Sequence, residues 1–453
     1  MNYDNSPLWA FFCVNRFRIG EKMVNIYFKT LGCPKNEVDS EYMMGLLNYK
    51  NKIVNNVNDA QIVIINTCGF IEDAKEESID AILQAAQYKD KKLIVTGCLS
   101  QRYSEKLFKE IPEIDAIMGT GNLDNINNVV NKVINGKRLN EVDKPGFIFT
   151  NKTQRKLTYN HYAYVKIAEG CNNNCSYCCI PQIRGRIRSR TIEDIYYEVE
   201  DLVKRGVKEI ILVAQDTTRY GIDIYDKPSL SELLKNLVKI NKLHWIRILY
   251  SYPEHINDKL IKIVKEENKI CNYLDIPVQH SVNKIRKLMN RRGKNEELVE
   301  FISKLRKNIP DIVLRTSLIV GFPGETEEDF KQLIDFVKCV KFDRLGVFKY
   351  SREENTPAAN FKNQIDNKIK QKRYNKIMEI QQQIAIEKNK SYIGKNIYVI
   401  VDEVDNNYAF TRSQYDAPEI DNQIIIKDNN LKTGDIINCK IKKAYEYDLL
   451  GER

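Results

Sequence analysis

Histidine is nearly absent. His161, His244, His255 and His280 are all that 453 residues hold, so a mechanism built on histidine pairs starts with few candidates. Long apolar runs are missing too. No stretch approaches the roughly 20 residues that cross a bilayer. The apolar residues 8–14 are too few for a secretion signal and no basic segment precedes them, so a cytoplasmic location and no membrane partner are expected. Paired cysteines are the third absence: eleven is an odd number in a chain this long, which speaks against a secreted disulfide framework. In a reducing cytosol such cysteines point to metal, redox or catalytic use.

The formal charge of +10 suggests a phosphate-bearing partner, but its distribution qualifies that. Residues 391–453 carry eight Lys and Arg against eleven Asp and Glu, a balance of −3 that leaves +13 on the rest. An acidic tail on a basic protein disfavours direct tRNA binding and suits a basic partner. Asp402, Glu403, Asp405, Asp416, Glu419 and Asp421 are expected to form part of that attracting surface.

Residues 1–22 read as an N-terminal extension. Gly20-Glu21-Lys22 can be encoded so that a ribosome-binding sequence precedes Met23, and Met23 opens onto a β-branched and aromatic run, so translation is expected to begin there. In residues 23–134, short apolar runs at 24–29, 52–54, 62–66, 92–96 and 114–118 alternate with helical periodicity at 40–49, 74–88 and 104–109. That pattern predicts an open parallel α/β sheet. Residues 135–158 are polar, carry Lys144-Pro145-Gly146 and read as a linker. A second alternating series in 159–388 places strands at 162–167, 209–214, 245–250, 273–278, 312–320 and 345–350. Six βα units suggest a partial (β/α) barrel with its functional residues at the carboxyl ends of the strands. A charged helix over 368–389 leads to residues 389–453, where short strands between Asn, Asp and Gly turns suggest a small antiparallel β-barrel.

The cysteines fall into two sets. Cys171, Cys175 and Cys178 stand at C-x3-C-x2-C spacing directly after the first barrel strand. Three thiolates hold three irons of a [4Fe–4S] cluster and leave the fourth open, whereas a zinc site is normally closed by a fourth ligand. The vacancy lets S-adenosylmethionine (SAM) chelate the open iron and receive an electron. Cys33, Cys68 and Cys98 are dispersed, but each lies in a turn after a predicted strand. In an open α/β sheet those carboxyl ends converge on one edge, so the three are expected to hold a second cluster. Any one of them alone could be an inert core thiol. Cys179 reads as a small buried residue, and Cys13, Cys271, Cys339 and Cys439 as packing or surface.

The first set, with Tyr177 before its last cysteine, resembles the radical SAM superfamily signature. The stretches 30–36 (TLGCPKN), 66–71 (NTCGFI), 96–103 (TGCLSQRY), 178–185 (CCIPQIRG), 273–280 (YLDIPVQH) and 417–421 (APEID) resemble the methylthiotransferase family. Within it they are similar to the RimO-type branch, which acts on a ribosomal protein, rather than to the tRNA-modifying branch. The resemblance runs from about residue 23 to the end. It implies an N-terminal methylthiotransferase domain, a radical SAM barrel and a TRAM domain. It also implies two [4Fe–4S] clusters, SAM as both radical source and methyl donor, an electron donor and a sulfur source. The implied reaction is β-methylthiolation of an aspartate of small-subunit ribosomal protein twelve, with tRNA adenosine methylthiolation as the alternative.

Weaker features remain. Gly321 ends a strand in Gly-Phe-Pro-Gly-Glu, where the resemblance implies an approach to SAM. The residues alone fit a strand-to-helix turn equally well, with Thr326 and Asp329 as a capping pair. Arg184, Arg186, Arg188 and Arg190 read as a solvated basic loop, one of whose guanidinium groups could clamp the SAM carboxylate. Asp275 and His280 flank a strand end without an assigned role, and no residue stands out as a catalytic acid or base.

Overall fold

The computed structural model describes residues 23–453 apart from 147, 149, 152 and 153. The expected extension, residues 1–22 with Cys13, lies outside the described residues. Strands β1 (Asn25–Thr30), β2 (Lys52–Val54), β3 (Ile62–Thr67), β4 (Lys92–Gly97), β5 (Ala116–Met118) and β6 (Leu139–Glu141) form one sheet in the order β2-β1-β3-β4-β5-β6. Every pairing in it is parallel. β3 is buried along its whole length, as a near-continuous apolar run covered on both faces should be. Helices α1 (Pro34–Leu47), α2 (Glu72–Ala85), α3 (Cys98–Glu110) and α4 (Ile126–Ile134) flank the sheet.

The expected linker contributes structure of its own, because β6 adds to the sheet edge beside β5. Its Glu141 accepts hydrogen bonds from Lys132 and Asn125 of the α4 region, which hold a polar edge strand that alternation could not reveal. Further along, the N–H of Thr158 donates to Glu41 of α1 at 2.6 Å and Arg155 pairs with Glu41 at 3.1 Å.

The second sheet is again wholly parallel. It contains β7 (Tyr162–Lys166), β10 (Glu209–Val213), β11 (Trp245–Ile248), β12 (Ile270–Asp275), β13 (Val313–Val320) and β14 (Arg344–Lys349), ordered β14-β13-β12-β11-β10-β7 and not closed. A two-stranded ribbon of β8 (Ala168–Glu169) and β9 (Arg188–Ser189) follows β7, with the short helix α5 (Ile180–Arg184) between its strands. One face of this sheet packs on its own helices through Leu202, Leu233, Ile302 and Leu333. The other face, through Tyr162, Tyr164, Trp245 and Tyr273, packs with Val38 and Met43 of α1 and with Ile400 and Ala417 of the last domain. A helix over Asn367–Lys390 lies along the barrel. It leads to a closed barrel of β15 (Asn396–Val404), β16 (Ala409–Ser413), β17 (Ile424–Ile426), β18 (Ile436–Ala444) and β19 (Leu449–Glu452). That barrel is antiparallel except for β17 with β19. Among the described residues no helix is long and apolar enough to cross a membrane.

The acidic tail departs from expectation. The loop after β16 enters the amino-terminal end of the parallel barrel. Asp416 pairs with Arg344 at 2.6 Å, and Asp421 takes hydrogen bonds from Arg315 and the Tyr273 hydroxyl, both at 2.6 Å. Asp402 pairs with Arg412 and His161, Glu419 accepts from Tyr159, and Asp405 caps its own turn. Asp416 and the Asp421 side chain are thus internal and Asp402 is half-buried, because buried arginines need counterions. Of the six expected acids, Glu403, Asp405 and Glu419 are exposed, and Glu419 is tied to Tyr159.

Glu37, Glu41 and Glu419 meet where α1, the connecting segment and this loop converge. Burial first, then the like charges of Glu41 and Glu419, push the Glu37 carboxyl up to about 8 from 4.5. A group raised in the folded state stabilises below its unfolded value, and that contribution is lost as pH rises through the folded one. Melting followed by circular dichroism should therefore show Glu37→Gln gaining on the parent protein as pH rises from 5 to 9, with most of the gain in place by pH 8.

Candidate metal and SAM site

Cys33, Cys68 and Cys98 follow β1, β3 and β4, which are neighbours in the sheet. Gly32, at φ +92, makes the turn before Cys33, and a Cβ there would stand 2.7 Å from Cys68 Cβ and 3.0 Å from its Sγ. Only glycine permits this approach. Asn36 stitches the loops together: its Nδ2 donates to the carbonyls of Leu31 and Thr67, and its own carbonyl accepts from Asn66. Ser78 Oγ accepts the Cys68 N–H at 3.0 Å and donates to the Cys68 carbonyl at 2.8 Å. Cys33 is the N-cap of α1 and Cys98 opens α3, so two thiols sit where helix dipoles favour thiolate. Burial raises the Cys33 thiol, but the charges of Lys35 and Arg184 and the N–H groups of Asn36 and Lys35 outweigh it and the net shift is downward. Burial pushes Cys68 up to about 12. A cation-lined pocket of three thiols suits an anionic thiolate-bound cluster.

The other three cysteines occupy the loop between β8 and α5. The Cys171 N–H donates to the Gly185 carbonyl at 3.0 Å and the Cys178 N–H to the Cys175 carbonyl at 3.1 Å, so the loop folds back on itself. Asp216, after β10, accepts from Asn173 Nδ2 at 2.7 Å and anchors the loop to a barrel strand end. Cys175 Sγ is 3.3 Å from the Tyr252 hydroxyl. Burial pushes the Cys171 thiol up to about 11. Among the described residues no His, Cys, Asp or Glu side chains gather as three would around a single metal ion. A four-iron cluster is larger than one ion, and its thiolates stand correspondingly further apart.

Helix α5 connects the two cysteine sets: it follows Cys178 in sequence, and its Ile183 packs with Cys98. Cys179, fully buried, packs with Cys98, Ile183 and Phe70. Tyr177 packs edge-on against Phe322 at 6.4 Å, which puts it beside the strand end at Gly321. Gly321 itself, at φ +71, faces Lys370, which a Cβ would meet at 2.3 Å. Its N–H and that of Phe322 both donate to Glu325, and Thr326 and Asp329 form a reciprocal cap. The turn alternative is present in full, and the two N–H groups are already engaged.

The arginine stretch is solvated only in part: Arg186 is exposed and Arg188 half-buried. Arg184 and Arg190 are buried in ion pairs with Asp39 and Glu169, and with Asp194 and Glu198. Their carboxylate partners come from elements distant in sequence or one turn ahead. His280 is fully buried, its Nδ1 accepts the Val282 N–H, and desolvation takes its pKa down to about 3, so the ring stays neutral. Asp275 accepts the Tyr250 N–H and orders that strand end. Two residues were not singled out in the sequence, though Lys35 lies within the stretch 30–36. Lys35 is buried with its ammonium 3.5 Å above the Tyr250 ring. Arg291 stacks on Tyr252 at 3.9 Å and has two guanidinium nitrogens with no hydrogen-bond partner among the described residues.

Comparison with known proteins places this geometry. Residues 165–337 match the Radical SAM superfamily, 25–119 the uncharacterized protein family UPF0004, and 393–453 the TRAM domain. A radical SAM methyltransferase from Kitasatospora setae, TsrM with cobalamin and a [4Fe-4S] cluster bound, shares the fold at TM-score 0.56 and 12% identity, over 74% of this chain and 77% of its own. The Radical SAM match and the fold together define a radical SAM enzyme. Ribosomal protein uS12 methylthiotransferase RimO of Clostridioides difficile (strain 630) is 50% identical over 438 residues, 95% of this chain and 99% of the relative. The namesake from Desulforamulus reducens is 53% identical over 441 residues, again 95% and 99%. The chain belongs to the RimO family of methylthiotransferases.

Proposed function

We propose that this enzyme adds a methylthio group to the β-carbon of an aspartate in ribosomal protein uS12, the small-subunit ribosomal protein twelve. The observation that carries the reading is the near-full-length identity to RimO proteins, joined to two three-thiol sets linked through one short helix. Cys171, Cys175 and Cys178 would hold the radical SAM cluster, and Cys33, Cys68 and Cys98 an auxiliary one. Bound there, the clusters and SAM supply reductive SAM cleavage and a sulfur-bearing iron, chemistry that side-chain acids and bases lack.

The protein's part is to bind and orient. Tyr177 and the strand end at Gly321 form the rim assigned to SAM, and the open guanidinium edge of Arg291 suits the SAM carboxylate. Lys35, held over Tyr250 beside Cys33, gives the opposite wall a positive charge that suits an aspartate side chain. Cytoplasmic location, an electron donor and a sulfur source belong to the same reading. With Asp402, Asp416 and Asp421 paired to arginines, the tail's acids are only partly free to attract a basic partner, and the family relationship carries the choice between a protein substrate and tRNA.

The test mixes enzyme, SAM, reductant and sulfide with uS12 or with unmodified tRNA. The expected product is uS12 heavier by about 46 Da at one aspartate, SCH3 replacing H. Methylthiolated adenosine beside unmodified uS12 would overturn the assignment.

A further inference from the structure

Arg184 bonds one cysteine set, and its neighbour Gly185 bonds the other. Arg184 ends α5, and the carbonyl of Gly185 next to it accepts the Cys171 N–H. Its guanidinium, 2% exposed, reaches into the first domain. Nη1 donates to Asp39 Oδ2 at 2.7 Å and Glu169 Oε2 at 3.3 Å, while Nη2 donates to Asn36 Oδ1 at 2.6 Å and Cys98 Sγ at 3.4 Å. Lys166 completes the group, reaching Asp39 at 2.5 Å and Glu169 at 2.6 Å, and Gln215 holds the other Glu169 oxygen at 2.7 Å. Two cations face two carboxylates, so the network is neutral without the thiol. The approach to sulfur is fixed by the three oxygen contacts rather than by a need for a counterion. Buried ion pairs add little net stability over apolar packing, and what they specify is geometry.

We propose that Arg184 is a positioning residue that holds Cys98 in register with the Cys171 loop and raises the reduction potential of the auxiliary cluster by donating to the Cys98 sulfur. The inference rests on the two-cluster reading above. Hydrogen bonds and positive charge at ligand sulfurs favour the reduced, more negative state of a cluster. A planar fork also serves four acceptors at once, which a lysine ammonium on the same stem cannot do.

The experiment is a redox titration of the anaerobically loaded full-length protein, followed by electron paramagnetic resonance. The signal that responds to added SAM marks the Cys171 cluster, and the other signal marks the auxiliary one. In Arg184→Gln the reduction equilibrium of the auxiliary cluster should fall about tenfold, a midpoint about 59 mV lower for one electron. The SAM-responsive cluster should keep its midpoint. Arg184→Lys should lower the auxiliary midpoint less. Should the Gln variant not fold, the Lys variant carries the test, since it keeps the cation between Asp39 and Glu169 and loses the donor to sulfur. An auxiliary midpoint unchanged in whichever variant folds, or an equal shift of both clusters, overturns the inference. Absence of a second cluster from the parent protein is a different failure and sinks the two-cluster reading instead.

Discussion

Replacing Cys33, Cys68 and Cys98 together with Ala should lower the iron of the reconstituted protein from about eight to about four atoms per chain, leave 5′-deoxyadenosine formation in place and abolish methylthio transfer. The fold should tolerate the change. The three turns are tied by backbone and side-chain hydrogen bonds that do not use the thiols, with Asn36 bridging Leu31 and Thr67, and Ser78 clamping Cys68. Replacing Cys171, Cys175 and Cys178 should also halve the iron, but there SAM cleavage is lost as well. The asymmetry is the informative part, because two clusters of equal iron content are separated by which one SAM cleavage needs. Iron and sulfide analysis with product chromatography reads both. Unchanged iron in the Cys33, Cys68 and Cys98 variant would remove the auxiliary cluster from the mechanism.

The two sheets and both cysteine sets were legible because each rests on a local signal. Strand runs such as Ile62–Thr67 are largely apolar, and a cysteine one residue past β3 and β4 and three past β1 fixes a shared edge. Helix α1 was read from residue 40 but begins at Pro34. Its first turns carry Lys35, Asn36, Asp39 and Glu41, and a polar stretch looks solvated until a second domain covers it. The same blindness hid Arg184, whose partner Asp39 is 145 residues away. Strand β12 spans Ile270–Asp275 rather than the expected 273–278: its last three expected positions, Ile276, Pro277 and Val278, already belong to the turn toward His280. Periodicity reports one face of one element. It is silent wherever two domains meet through charge.

The tail acids show the consequence most sharply, and they set the second large effect. Asp421→Lys should detach the C-terminal barrel from the parallel barrel. The Asp421 side chain has no exposure and holds Arg315, the Tyr273 hydroxyl and the Ala417 N–H. Removing one partner of a buried pair costs about 3–5 kcal/mol, and a second cation beside Arg315 adds repulsion to that loss. Thermal melts should show a large drop or a split transition, and limited proteolysis should cut near residues 391–395, where the long helix gives way to β15. Asp421→Asn keeps an acceptor for Ala417 and removes only the charge, so it should fall between the two. Glu403→Lys, on an exposed position, should leave stability within about 0.5 kcal/mol. That makes Glu403, and not Asp416 or Asp421, the position at which charge reversal can probe attraction to a basic substrate without first breaking the molecule. A melt of Asp421→Lys identical to the parent would mean that the loop does not hold the two barrels together.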